Sequence, residues 1–97
     1  MGMTEQYLVG ELSLLLARLQ AAAGSQASAR DVVRLRREAE TCPLAALGSA
    51  VLRALRLADD LCWDSLARGD IRAFTDQAEA GADLRRFGVC ASLLADG

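Results

Sequence analysis

Histidine, lysine and asparagine are missing from this chain of 97 residues. Without histidine the commonest general base and metal ligand is gone. Histidine triads, zincin sites and the Glu-x-x-His pattern of di-iron bundles are thereby excluded. Aromatic residues amount to only 4% of the chain, and β-branched residues are scarce, which argues against a sheet protein. Cysteine is sparse too. Cys42, Cys62 and Cys90 are odd in number and widely spaced, with no Cys-x-x-Cys pair. They fit reduced thiols better than a disulfide framework or a zinc site. No uncharged run approaches the roughly 18 residues that a membrane span requires. The start also lacks the basic region and cleavage site of a secretory signal. The location expected from these absences is the cytoplasm, with no membrane contact. The net charge of −2 supplies no bulk attraction to nucleic acid, which is not expected as a partner.

Alanine and leucine dominate the composition, and they lift the apolar fraction to 53%. Both are strong helix formers. The chain therefore reads as one all-α domain over residues 1–97, a bundle of four to five helices around one long central helix. So much apolar residue on so small a body exceeds what one modest core can cover, and self-association is the natural outlet. All eleven basic residues are arginine. With the abundance of Ala, Leu, Gly and Asp, this is the codon signature of a high-GC bacterial genome.

The central helix is predicted over about 43–68, PLAALGSAVLRALRLADDLCWDSLAR. At about 100° per residue, Leu44, Leu47, Val51, Leu52, Ala54, Leu55, Leu57, Ala58, Leu61, Cys62, Trp63 and Leu66 make one arc. It occupies most of the circumference, whereas a surface helix needs an apolar stripe of about 100°. Several neighbours are therefore expected around it. Thr41 and Pro43 suit its start and Gly69 its end. Asp59 interrupts the arc between Leu52, Leu55, Trp63 and Leu66. A carboxylate in that position calls for a paired arginine, a hydrogen-bonding partner or a chemical task.

The rest of the chain is punctuated by turn and cap signals. A first helix over about 5–23, opened by Thr4, carries the seam Leu8, Leu12, Leu15, Leu19 and Ala22, widened by Val9, Leu16 and Ala23. Leu14 lies nearly opposite that seam. Ser28, with Asp31 three residues on, has the spacing of a capping box for a second helix over 29–40, whose inner edge is Val32, Leu35 and Ala39. Arg34–Glu38 and Arg36–Glu40 are spaced as i,i+4 pairs. After the central helix, Asp70 caps a restart of helical structure. There Ile71, Phe74 and Ala78 share one face, and Leu84, Phe87, Ala91 and Leu94 share another. This phase slip at Ala80-Gly81-Ala82-Asp83 predicts a stop and two helices, 71–80 and 84–95, with a single kinked helix as the alternative. The segment SLARGDIRAFTDQAEAGADLRRFG locally resembles the helix pair of an ankyrin repeat. It covers about a quarter of the chain and is not repeated. Since about three repeats are needed to bury one another's faces, it reads as helix-turn-helix punctuation and not as membership.

No catalytic residue, metal ligand or cofactor is indicated. The acids Glu38, Glu40, Asp59, Asp60 and Asp64 lack the Glu-x-x-Glu and Glu-x-x-Asp spacing of magnesium-dependent all-α hydrolases. Cys42, near a helix start, is the thiol best placed to react, while Cys62 and Cys90 read as small buried hydrophobes. Residues 30–56 hold six arginines against three acids, and a helix-turn-helix regulator would use Arg53 and Arg56. The expectation is a small protein–protein interaction module, a homodimer or the binder of another protein, acting through Leu14, Leu52, Asp59 and Trp63. A metal-dependent hydrolase and a transcriptional regulator are the alternatives.

Overall fold

A computed structural model describes residues 2–41 and 43–96, with side chains defined for 6–41, 43 and 45–91. It is an all-α four-helix bundle. Helix α1 is Gly2–Ala23, α2 is Ala29–Glu40, α3 is Leu47–Ala67 and α4 is Ile71–Asp96, with a 3-10 turn at Leu44–Ala46 leading directly into α3. Around the bundle α1 packs on α2 and α4, and α3 packs on α4 and α2, with little contact across the α1–α3 diagonal. The α3–α4 pairing is the most extensive.

Each helix contributes one buried stripe. Val32, Leu35 and Ala39 of α2 are buried as the spacing predicts. On α1 the stripe is Leu8, Leu12, Leu16, Leu19 and Ala23, with Leu15 packed at its edge. It is turned slightly from the predicted seam because α1 must face two neighbours at once. On α3 the buried residues are Leu47, Ala50, Val51, Ala54, Ala58, Leu61 and Ser65. That stripe is far narrower than the predicted arc.

Two of the helix ends obey their local signals. Gly69 adopts φ +73, the left-handed conformation that lets a chain leave a helix without steric cost. Asp70 Oδ1 then accepts the Ala73 amide at 3.1 Å, capping α4. Other signals are overridden. The Ser28 side chain makes no cap bond; its carbonyl accepts the Asp31 and Val32 amides instead. Thr41 closes α2 as its C-cap and does not open α3, whose N-cap is Ala46. Helix α1 begins at Gly2, so Thr4 lies inside it. The predicted i,i+4 pairs of α2 do not form. Glu38 is taken by Arg53 of α3 at 2.7 Å, and Arg36 donates to Gln20 of α1 at 3.3 Å.

The predicted stop at residues 80–83 is corrected: α4 is one helix through Gly81, and no ankyrin-like turn exists there. Gly81 is a point of close approach. A Cβ placed on it would sit 3.4 Å from the Ala58 Cβ, and one placed on Gly88 would sit 3.0 Å from Val51 Cγ1. These two contacts fix α3 and α4 as an antiparallel hairpin. The phase slip in the sequence reflects two faces of one helix, Gln77, Ala80, Leu84 and Ala91 being buried while Ile71, Ala78 and Val89 are exposed. Gly81→Ala is therefore expected to stabilise the protein by about 0.5–1 kcal/mol, the gain in helix propensity where the new methyl only reaches van der Waals contact. Gly88→Ala, which crowds the β-branched Val51, should not show that gain. Thermal unfolding of both variants decides the matter, because at a helix stop in the left-handed region Gly81→Ala would destabilise.

Candidate interaction surface

The α3–α4 hairpin is anchored to the rest of the bundle by a buried polar network that hydrophobic patterning does not reveal. Gln26, Ser65 and Gln77 are its buried members. Gln77 Nε2 donates to the Ala22 carbonyl at 3.0 Å and to Gln26 Oε1. Ser65 Oγ donates to Gln77 Oε1 at 2.7 Å and lies 3.2 Å from Gln26 Oε1. Gln26 Nε2 donates to the Leu61 carbonyl at 3.3 Å and to Asp64 Oδ2 at 2.8 Å. The network spans the end of α1, the α1–α2 loop, α3 and α4. Both amide groups use donors and acceptor alike, so burial leaves none of these polar groups orphaned. On the flank, Arg18 of α1 meets Asp83 of α4 at 2.8 Å. The Arg86 guanidinium first, and Arg18 after it, hold the Asp83 carboxyl below the usual carboxylate range.

With the hairpin fixed by its inner face, its outer face is left open. Trp63 is 72% exposed and Leu52 60%, and Leu66 is exposed as well. The predicted covering of this flank of the central helix is thus absent from the single chain. Between α3 and α4 runs a groove lined by Leu55, Asp59, Trp63, Leu66, Phe74 and Arg85, among others. Cys62 lies half-buried on its wall. Burial chiefly, with the Asp59 charge in addition, raises the Cys62 thiol above its ordinary value, so it remains protonated and weakly nucleophilic at neutral pH.

Asp59 is not enclosed by apolar side chains, as its position in the arc suggested. It is exposed, and among the described residues it has no ion-pair partner. Leu52, Asp59 and Trp63 stand together on one stripe of α3. Leu14, 62% exposed on α1, is not among the groove residues. Cys90 is exposed and not a core residue as predicted; Cys42 lies outside the described residues. Among the described residues no three of Cys, Asp and Glu converge to hold a metal ion. Arg34, Arg53 and Arg56 border a shallow groove between α2 and α3 that also includes Asp31. Among the described residues no helix is long and apolar enough to cross a membrane. The chain matches no family model, no curated protein and no solved structure.

Proposed function

We propose that this chain is a small helical protein–protein interaction module, cytoplasmic and of bacterial origin, that works as a homodimer through the outer face of the α3–α4 hairpin. One observation carries the reading: the sole tryptophan stands in solvent at the rim of an apolar groove, beside Leu66 and on one stripe with Leu52. Large apolar side chains grouped in this way, with an indole among them, form the anchor type found at interface centres. The hydrolase alternative finds no support in the arrangement of its acids, since Glu38 is engaged by Arg53 and no ligand triad forms among the described residues. The regulator alternative has no specific observation in its favour: Arg53 pairs with Glu38 on the surface, and Asp31 shares the shallow groove that holds Arg34, Arg53 and Arg56.

Trp63 reports directly on this proposal. Raising the protein from about 1 μM to several hundred μM, the range in which modest apolar interfaces form, should shift its emission to the blue. Sedimentation should show the mass doubling in parallel. Monomeric mass with a solvent-type indole spectrum throughout that range would overturn it.

A further inference from the structure

The groove-facing stripes of α3 and α4 are complementary in charge. Toward the groove side of α3 the exposed residues are Leu52, Asp59, Trp63 and Leu66, while the neighbouring exposed Arg56 lines the separate groove toward α2; along α4 they are Ala78, Arg85 and Val89. On the groove side each set is apolar except for one charge. The charge is negative on α3, at Asp59, and positive on α4, at Arg85. Both side chains line the same groove, yet they form no ion pair with each other. Arg85 likewise has no carboxylate partner among the described residues.

We infer that two copies meet face to face across this groove, about a two-fold axis lying in the plane of the face, with Asp59 of each copy on Arg85 of the other. The geometry follows from the hairpin. An axis in that plane, running between the two helices, lays α3 of each copy over α4 of the other. Because Ala58 stands beside Gly81 and Val51 beside Gly88, Asp59 and Arg85 lie at levels about five residues, or roughly 7–8 Å, apart along the hairpin. An axis parallel to the helices would leave that offset in place. With helices about 8–10 Å apart, tilting the axis so that the hairpins cross at about 40–50° reduces the offset to roughly 2–4 Å, which an arginine side chain spans. A crossing of that size is common between packed helices. The two-fold then forms the pair twice, once on each side of the axis, with Leu55 between the pairs and Trp63 and Leu52 beyond them. An isologous interface requires such self-complementarity, with residue i meeting j and j meeting i. The two salt bridges, bordered by apolar contacts, would fix register more than they add affinity.

This inference rests on the homodimer proposed above, and its test separates the two. Asp59→Arg and Arg85→Asp are each made in the full chain; both positions are exposed, so folding, checked by circular dichroism, should be retained. Each variant alone places like charges together twice in the symmetric pair, and its dimer dissociation constant should rise at least about tenfold. Mixing the two variants in equal amounts should restore association to within about threefold of the parent, as a one-to-one heterodimer. In that mixture the positive charge introduced at position 59 of one chain faces the negative charge introduced at position 85 of the other. The unaltered Arg85 of the first chain faces the unaltered Asp59 of the second. A parent dimer whose single variants associate normally, or whose mixed variants stay apart, would overturn the register and leave the dimer itself standing. A parent chain that never dimerises would remove both.

Discussion

Gln77→Ala is expected to lower the free energy of unfolding by about 3 kcal/mol, moving the midpoint of thermal unfolding down by roughly 15 °C for a domain of this size. Gln77 is buried on α4, where it satisfies three groups at once: the Ala22 carbonyl, Gln26 Oε1 and the Ser65 hydroxyl. Ser65 can turn its proton to Gln26, which lies 3.2 Å away. The Ala22 carbonyl has no such recourse, because it belongs to the last turn of α1, where carbonyls lack intrahelical partners. A cavity adds to the cost. Gln77→Glu separates the two contributions, since it keeps the volume. Once ionised it only accepts hydrogen bonds and faces two other acceptors. Burial and those acceptors raise its folded pKa above the unfolded value of about 4.3. Its deficit relative to the parent should therefore be smallest below pH 4 and grow as pH rises toward that raised pKa. Chemical denaturation of both variants at acid and neutral pH measures this. A glutamate variant as stable as the parent at pH 7 would mean that the network contributes little.

The network also shows where reading the chain as apolar and polar positions fails. Such a reading places buried stripes well when a helix has one clear face, as with Val32, Leu35 and Ala39 on α2. Buried glutamine and serine leave no trace in it. Their only signal is indirect: Ser65 continues the buried series of Ala54, Ala58 and Leu61 on α3, and Gln77 continues that of Ala80 and Leu84 on α4. Gln26 offers no such clue, because it reaches Leu61, Asp64 and Ser65 only through the tertiary fold. The break expected at Gly81 fails for a different reason. Local propensity treats glycine as punctuation, whereas here Gly81 lies inside α4 packed against Ala58 of α3, where even a methyl would meet it at van der Waals distance. Packing between helices decides the element, which is the usual way tertiary context overrides propensity.

The breadth of the apolar arc on α3 holds two different meanings, and a pair of substitutions separates them. Leu61 is 0% exposed at the centre of the core. Leu61→Ala should cost about 3 kcal/mol, the transfer term of the lost methyl groups plus the cavity they leave. Leu52, on the same helix and in the same predicted arc, projects into solvent. At concentrations well below the dissociation constant of the proposed dimer, Leu52→Ala should change unfolding by no more than about 0.5 kcal/mol. At high concentration, its effect should instead be on association. In the proposed dimer, removing Leu52 would delete a contact at the outer face twice per symmetric pair, so the dissociation constant should rise severalfold. The two variants thus divide one continuous apolar arc into the part that holds this chain together and the part proposed to hold a second chain. Equal loss of monomer stability in both would mean that Leu52 is covered by its own chain, and the outer face of the hairpin would no longer be an open surface.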